Sequence, residues 1–243
     1  MSKTLGAVYM AYKNSDATDF VIENFRKHLP DSPIYLFSDG GDDLSFLTKK
    51  YDNIGYSWVP NILGNEINNY VKLPYEAFRM IEFWNRQKIA VDFCNTDYMM
   101  ILEDDVLITS NFIIDKDYDA LGLLGPNLSQ LMINDIKNAS NQEVLKYGMC
   151  GGSMYNSNTF LNIYDDVIKD IETNHDEQIR NNEYFLLGAA DANLVYHFAK
   201  RSFKYEQSPW LSQLNSTPNA LSYPIVHNYK DMYTRQTSNG SFV

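Results

Sequence analysis

A five-residue apolar run, YMMIL at residues 98–102, passes directly into three consecutive acids, Glu103, Asp104 and Asp105. A continuous apolar run bounded by polar residues is typical of a strand covered on both faces, as in the middle of a parallel sheet. Three acids at the end of such a strand repel one another unless a positive charge lies beside them. The sequence therefore predicts a central strand that ends at a cation or ligand site.

Segments of strand and helix character alternate through the first half of the chain. Strands are predicted at residues 5–12, 33–38, 54–59 and 98–102. The helices between them are predicted to begin at Ser15 or Asp16 and stop at Pro30, to cover residues 43–51, and to run from Pro74 to about Phe93. Strands that alternate with helices favour an α/β fold with a mostly parallel, Rossmann-like central sheet flanked by helices.

The second half of the chain is less regular. A strand is predicted at residues 119–124, and another at 147–155 that is broken by Gly151 and Gly152, where a ligand or another backbone could approach. Helices are predicted at about 157–171 and 189–200. A short apolar run near the end leads into His227.

The charge balance excludes several classes of partner. The chain has 20 Lys and Arg residues against 31 Asp and Glu, a formal net charge of -11. It lacks the broad basic face that nonspecific nucleic-acid binding needs and the polybasic cluster that holds a protein to an anionic membrane. No apolar run approaches the roughly 18 to 20 residues that span a bilayer, and no signal-peptide cleavage pattern follows the first strand. We therefore expect a cytoplasmic protein with no membrane span and no nucleic-acid partner.

The chain contains two cysteines, Cys94 and Cys150. Two are too few for a disulfide framework, and both lie in apolar surroundings. We expect them to be buried thiols.

In a parallel α/β sheet, ligands bind beyond the carboxyl ends of the strands. The polar residues predicted at those ends are Tyr12, Lys13 and Asn14 after the first strand, Asp39 after the second, and the acids at 103–105 after the fourth. Carboxylate oxygens are the preferred ligands of hard divalent cations such as Mn²⁺ and Mg²⁺. The alternative is that the acids cap the next segment or simply face water.

Residues 90–108, AVDFCNTDYMMILEDDVLI, resemble the metal-binding segment of nucleotide-sugar glycosyltransferases with the GT-A fold. In that family a helix, a short polar turn and an apolar strand lead into a DxD motif. The resemblance implies a single GT-A domain over residues 1–243, with a nucleotide-binding half at 1–108 and an acceptor-binding half at 109–243. It also implies a Mn²⁺ or Mg²⁺ cofactor bound directly by Asp105, with Glu103 on the metal or the ribose and Asp104 in the substrate site.

The resemblance further assigns residues to the nucleotide-sugar donor. Tyr12 would stack on the base, and Asp39 would hydrogen-bond the base or ribose. Arg79 could reach the nucleotide from its helix, although it could also cover a solvated helix face. Gly151 and Gly152 would line the cleft for the donor sugar and the acceptor.

Three late positions complete the implied site. His227 resembles the third metal ligand of many GT-A enzymes, and Lys230 resembles the lysine that contacts the diphosphate; a satisfied surface histidine is the alternative. Asp191 resembles the acid that acts as general base, with Ala190 where the family usually has another acid. Asp191 could instead only cap its helix, in which case Glu183 is the fallback base.

The resemblance therefore implies a metal-dependent enzyme that moves a sugar from a UDP- or GDP-sugar to a glycan or other hydroxyl acceptor, with inversion at the anomeric carbon because a general base is present. A retaining glycosyltransferase would need no such base. A nonenzymatic nucleotide- or glycan-binding module with the same fold is the alternative from another class. A sugar-phosphate nucleotidyltransferase is disfavoured because no Gly-rich basic loop follows the first strand.

Overall fold

The computed structural model describes residues 2–60, 75–214 and 216–228. The strands are β1 Leu5–Ala11, β2 Ile34–Asp39, β3 Ile54–Val59, β4 Tyr98–Leu102, β5 Leu107–Ile108, β6 Ala120–Gly122, β7 Met154–Asn156, β8 Tyr205–Gln207, β9 Leu211–Gln213 and β10 Ile225–His227. The α-helices are α1 Ser15–His28, α2 Leu47–Lys50, α3 Ala77–Cys94, α4 Gln130–Ser140, α5 Ser157–Asp170, α6 Asp176–Arg180 and α7 Ala190–Lys200. A π-helical turn, Ile171–His175, joins α5 to α6, and 3₁₀ segments cover Asn182–Gly188 and Ala220–Ser222.

Seven strands form the central sheet in the order β3-β2-β1-β4-β7-β6-β8. Pairing is parallel throughout except on the two sides of β7, which runs antiparallel to both β4 and β6. The predicted mostly parallel α/β sheet is therefore confirmed. The chain winds outward from β1 to β3 and returns to place β4 on the other side of β1, so the sheet reverses its direction of winding between β1 and β4.

Helices cover the sheet, and each face has its own apolar core. On one face, α1 packs Val21, Ile22 and Phe25 against the inward side chains of β1 and β2, together with residues of the small sheet β5-β10-β9. On the other face lie buried residues of α3, α4, α5 and α7. Within the described residues, no helix is both long enough and apolar enough to cross a membrane.

The first helix is capped one residue earlier than the sequence indicated. Asn14 is the N-cap, with φ 71° and ψ 68°, and its Oδ1 accepts a hydrogen bond from the Ala17 amide at 3.1 Å. Asparagine tolerates this left-handed conformation and is a strong capping residue. Ser15 and Asp16, predicted as caps, lie in the first helical turn.

Three further helices differ from the sequence predictions in their bounds, or were not predicted at all. The helix predicted at residues 43–51 is only the single turn Leu47–Lys50. The helix α3 begins at Ala77 after the N-cap Glu76, and the predicted first-turn residue Pro74 lies outside the described residues. Helix α4 was not predicted; Ser129 caps it by accepting a hydrogen bond from the Met132 amide at 3.3 Å.

The strand predicted at residues 147–155 is mostly wrong. Strand β7 begins only at Met154, and Gly151 and Gly152 form a turn before it. Gly152 has φ 84°, a left-handed conformation that ends extended structure and that side chains disfavour. The apolar character of this segment comes from burial in a turn, not from strand pairing.

A buried ion pair joins β2 to α3 at the carboxyl edge of the sheet. Arg86 and Asp39 are both fully buried, and Arg86 Nη1 donates to Asp39 Oδ1 at 2.7 Å. The same guanidinium donates to Glu82 Oε1 at 2.9 Å and to the carbonyl of Pro60 at 3.2 Å. It therefore links the end of β2, the end of β3 and the middle of α3.

We predict that Arg86→Met lowers the free energy of unfolding by about 3–5 kcal/mol, because it leaves the Asp39 carboxylate buried without its guanidinium. Urea denaturation followed by circular dichroism measures this. The double variant Arg86→Met/Asp39→Leu removes both charges and should recover most of the loss. A single variant as stable as the wild type, or a double variant less stable than the single one, would contradict this account.

Candidate functional site

A cavity of about 670 Å³ opens at the carboxyl ends of β1 and β4. This is the point at which the sheet reverses its direction of winding, the usual ligand position in open α/β sheets. Its polar lining comes from the ends of both strands, from the start of α1, from the residue before the α3 cap, from the turn before β7 and from the start of α7. These residues are Tyr12, Lys13, Asn14, Thr18, Tyr75, Glu103, Asp104, Asp105, Cys150 and Asp191.

The remainder of the lining is mostly apolar. Val8, Met10 and Ile101 come from the sheet, and Phe83 and Met149 pack beside them. A cavity with an apolar floor and a few convergent polar groups is the common form of a small-molecule site.

Strand pairing brings His227 to the acids at the end of β4. Strand β5 follows those acids at once and pairs antiparallel with β10, with Ile225 opposite Ile108 and Val226 opposite Leu107. One step further along this register, His227 comes beside Val106 and hence next to Asp105. A separation of more than a hundred residues in sequence thus becomes direct contact.

Glu103, Asp105 and His227 each offer one ligand atom, and these atoms lie within 4.8 Å of one another. His227 Nε2 is 3.3 Å from Glu103 Oε2 and 3.6 Å from Asp105 Oδ1. We call these three residues the triad. Two carboxylate oxygens and an imidazole nitrogen suit Mn²⁺ and related divalent cations, so the donor set fits the cofactor that the sequence implied.

The protein itself balances charge at the triad. Burial favours a neutral imidazole and would lower the pKa of His227, but the electrostatic influence of the nearby Cys150 side chain and the hydrogen bond to Glu103 outweigh burial and raise that pKa to about 11. The imidazole is nearly buried, with 8% of the residue exposed. Without another cation, a positive His227 offsets part of the repulsion between the carboxylates.

Asp191 lies in the first turn of α7 and lines the cavity. Its Oδ1 accepts a hydrogen bond from the Ala192 amide at 2.8 Å. Burial raises the pKa of this carboxyl, and the negative charge of Glu103 raises it further. Asp191 is therefore a stronger base than an exposed aspartate, and it faces the same cavity as the triad.

The turn before Asp191 is fixed by hydrogen bonds from two directions. The Tyr75 amide donates to the Gly188 carbonyl at 2.9 Å, and Asn193 Nδ2 donates to the Leu187 carbonyl at 2.9 Å. Asn193 is in turn held by Trp84 Nε1, which donates to its Oδ1 at 2.8 Å. Helix α3 therefore holds the start of α7 in place.

Tyr12 lies at the mouth of the cavity, as the sequence suggested. The Asp42 amide donates to the Tyr12 carbonyl at 3.0 Å, so the loop after β2 holds this residue. The ammonium of Lys13 lies 5.1 Å from the centroid of the Tyr12 ring. Among the described residues that line the cavity, Lys13 is the only lysine or arginine.

Several residues predicted for the site lie elsewhere. Asp39 is buried, where it accepts a hydrogen bond from Arg86, and it does not line the cavity. Arg79 also lies off the lining, with its guanidinium carbon 6.0 Å from the ring of Tyr75, which does line it. Glu183 is exposed in a 3₁₀ segment. Direct contacts of Asp39 and Arg79 with a nucleotide stay predictions.

The glycines and the final lysine have separate outcomes. Gly151 packs against the side chain of Glu103, and the Gly152 amide donates to the Ile101 carbonyl at 2.7 Å. Neither is among the residues that line the cavity. Lys230 lies outside the described residues.

Sequence reasoning missed one contributor to the site. Cys150, expected to be a buried thiol, is only partly buried and lines the cavity beside His227. Tyr75 and Lys13 also line it. Lys13 was predicted at the end of the first strand, whereas Cys150 reaches the cavity only through tertiary folding.

The two thiols should differ in reactivity. Burial raises the pKa of the Cys94 thiol to about 12, so its reactive thiolate is scarce at about pH 8. Iodoacetamide should therefore modify Cys150 before Cys94 in the folded protein, as mass spectrometry of peptides will show. Cys150→Ser is the control and should take up little label. Equal labelling of both thiols in the wild type would contradict the placement of Cys150 on the cavity.

Comparison with known protein families and with curated proteins found no match to this chain. No protein-family model matches the chain, and no curated protein matches its sequence. The roles considered next are therefore argued from the placement of these residues and from the sequence resemblance already described.

Proposed function

We propose that the protein is a metal-dependent glycosyltransferase of the GT-A fold. It would transfer a sugar from a UDP- or GDP-sugar to a hydroxyl group of a glycan or another acceptor. The observation that carries this proposal is the convergence of His227 on Glu103 and Asp105, two residues that line the cavity where the sheet reverses its winding. The mostly parallel α/β sheet is compatible with that fold.

Charge supports a cation in the donor site. Four carboxylates line the cavity, those of Glu103, Asp104, Asp105 and Asp191, and Lys13 is the one lysine or arginine among the described lining residues. A nucleoside diphosphate carries negative charge and would be repelled by this surface. A divalent cation held by the triad would neutralise the diphosphate and stabilise it as a leaving group.

The remaining donor contacts follow from the lining. Tyr12 offers an aromatic ring at the mouth of the cavity, where a base could stack. Lys13 and the exposed Asp104 lie on the same rim. The ammonium of Lys13 could pair with a phosphate oxygen, and Asp104 could accept a hydrogen bond from a ribose or sugar hydroxyl.

Asp191 is the group best placed to act as general base. In an inverting transfer, the acceptor oxygen attacks the anomeric carbon while the bond from that carbon to the diphosphate oxygen breaks. The hydroxyl proton passes to the Asp191 carboxylate, and the diphosphate leaves with the bonding electrons. The raised pKa of Asp191 favours its accepting that proton.

We predict that Asp105→Asn abolishes stabilisation by Mn²⁺ and nucleoside diphosphate while the fold persists. At about 100 times Kd, ligand that binds only the native state contributes about 2.7 kcal/mol, equivalent to a rise in Tm of about 5–10 °C for a chain of this size. Thermal unfolding of the wild type with Mn²⁺ and UDP or GDP should show this rise, and EDTA should remove it.

Glu143→Gln makes a comparable charge change at an exposed position away from the cavity and should keep the full shift. If Asp105→Asn responds to Mn²⁺ and nucleotide as the wild type does, Asp105 has no part in holding the cation. If the wild type shows no shift with any nucleotide, the proposed donor site is wrong.

We predict that Asp191→Asn lowers kcat by about 10²- to 10⁴-fold, the usual contribution of a general base. Donor binding should be retained, because the amide has nearly the same shape. Glu183→Gln tests the fallback base and should leave kcat unchanged, since Glu183 is exposed away from the cavity. Release of UDP or GDP in the presence of acceptor measures both.

Two outcomes would revise this role. A fully active Asp191→Asn would exclude it as the base and favour a retaining transfer. Metal-dependent nucleotide binding by the wild type without turnover of any sugar donor would favour a nonenzymatic binding module.

A further inference from the structure

The turn at residues 150–152 is fastened to the end of β4. The Gly152 amide donates to the Ile101 carbonyl at 2.7 Å, and the Ile101 amide donates to the Ser153 carbonyl at 2.9 Å. These two bonds hold the turn beside the strand just two residues before Glu103. Gly151, in the middle of the turn, consequently lies against the Glu103 side chain.

No space remains for a side chain at Gly151. A Cβ there would lie 2.6 Å from Val106 Cγ2, 3.0 Å from Glu103 Cβ and 3.1 Å from Glu103 Cδ. All three distances are shorter than ordinary van der Waals contact between carbon atoms. The stem and the carboxyl carbon of Glu103 thus rest on the bare backbone of Gly151.

The requirement for glycine is one of space and not of backbone conformation. Among the described glycines, positive φ angles occur at Gly40, Gly148 and Gly152, but not at Gly151. An alanine could adopt the backbone of residue 151, and its methyl group would then press on its neighbours. Gly152, in contrast, has φ 84° and is needed for the turn itself.

The two neighbours differ in how freely they can yield. Val106 is 1% exposed in the apolar core and has little room to move. The Glu103 side chain is 44% exposed and can rotate toward solvent. The contact with Glu103 Cδ can be relieved by turning the Glu103 carboxylate away from His227. The contacts with Val106 Cγ2 and Glu103 Cβ can be relieved only by displacing the turn or the end of β4, which also moves Glu103 relative to His227.

We propose that Gly151 is a positioning residue for the cation site. By leaving its own side-chain space empty, it lets Glu103 lie 3.3 Å from His227 and thereby sets the affinity of the triad for a divalent cation. This inference rests on the proposed function, because it assumes that the triad binds the metal. It differs from a role for Gly151 in lining the sugar cleft.

The test measures Mn²⁺ binding to the full metal-free chain, by the electron paramagnetic resonance signal of the unbound ion. Gly151→Ala should raise Kd for Mn²⁺ by about 10- to 100-fold, the usual effect of losing a group that orients a metal ligand. The double variant Gly151→Ala/Val106→Ala removes the tightest contact. It should recover most of the affinity relative to Val106→Ala alone.

Gly55→Ala, in β3, is the matched control for general loosening. A Cβ at Gly55 would lie 2.5 Å from Tyr35 Cδ2, 2.8 Å from Tyr35 Cε2 and 3.1 Å from Phe93 Cε2, so the strain is similar but falls neither on the triad nor on the turn at residues 150–152. This variant should lower Tm and leave Kd for Mn²⁺ unchanged. A purely structural effect would instead weaken metal binding in both glycine variants.

The outcomes separate this inference from the proposed function. If the wild type binds Mn²⁺ and Gly151→Ala binds it equally well, Gly151 does not position Glu103. The same conclusion follows if the Val106→Ala background gives no recovery or if Gly55→Ala loses as much affinity. If the wild type binds no Mn²⁺, the metal site itself is wrong and the role of Gly151 falls with it.

Discussion

Electrostatic repulsion among the acids at the end of β4 is the constraint around which the site is built. One carboxylate oxygen of Glu103 and one of Asp105 lie within 4.8 Å of each other, at the edge of a buried sheet. Their charges must be offset locally, because the chain as a whole is strongly acidic. Pairing of β5 with β10 brings His227 to them, and the bare backbone of Gly151 leaves room for Glu103 to face it.

The order of apolar and polar residues along the chain predicted the buried strands, but not the buried turn before β7 or helix α4. Strands β1 and β4 are continuous apolar runs covered on both faces, and such runs indicate buried strands without further information. The turn at Gly151 and Gly152 was instead predicted as part of a strand, because buried turns and buried strands share apolar composition. Helix α4 was missed because its apolar residues are spread along a largely polar segment.

The site was predictable to the extent that its residues follow strand ends. Tyr12 and the acids after β4 come directly after apolar runs, so their place at one edge of the sheet followed from topology. The partnership of Asp39 with Arg86 joins residues 47 positions apart and leaves no local signal. The packing of Gly151 on Glu103 also joins residues far apart in sequence, so it can be seen only in the folded structure.

The central claim is that the triad binds a divalent cation at the donor cavity. Crystals of the protein grown with Mn²⁺ and a nucleoside diphosphate would test it through an anomalous difference map at the manganese absorption edge. The account predicts a single strong peak in contact with Glu103, Asp105 and His227. Ordered nucleotide in the cavity with no peak at the triad, or a manganese peak bound only elsewhere, would contradict it.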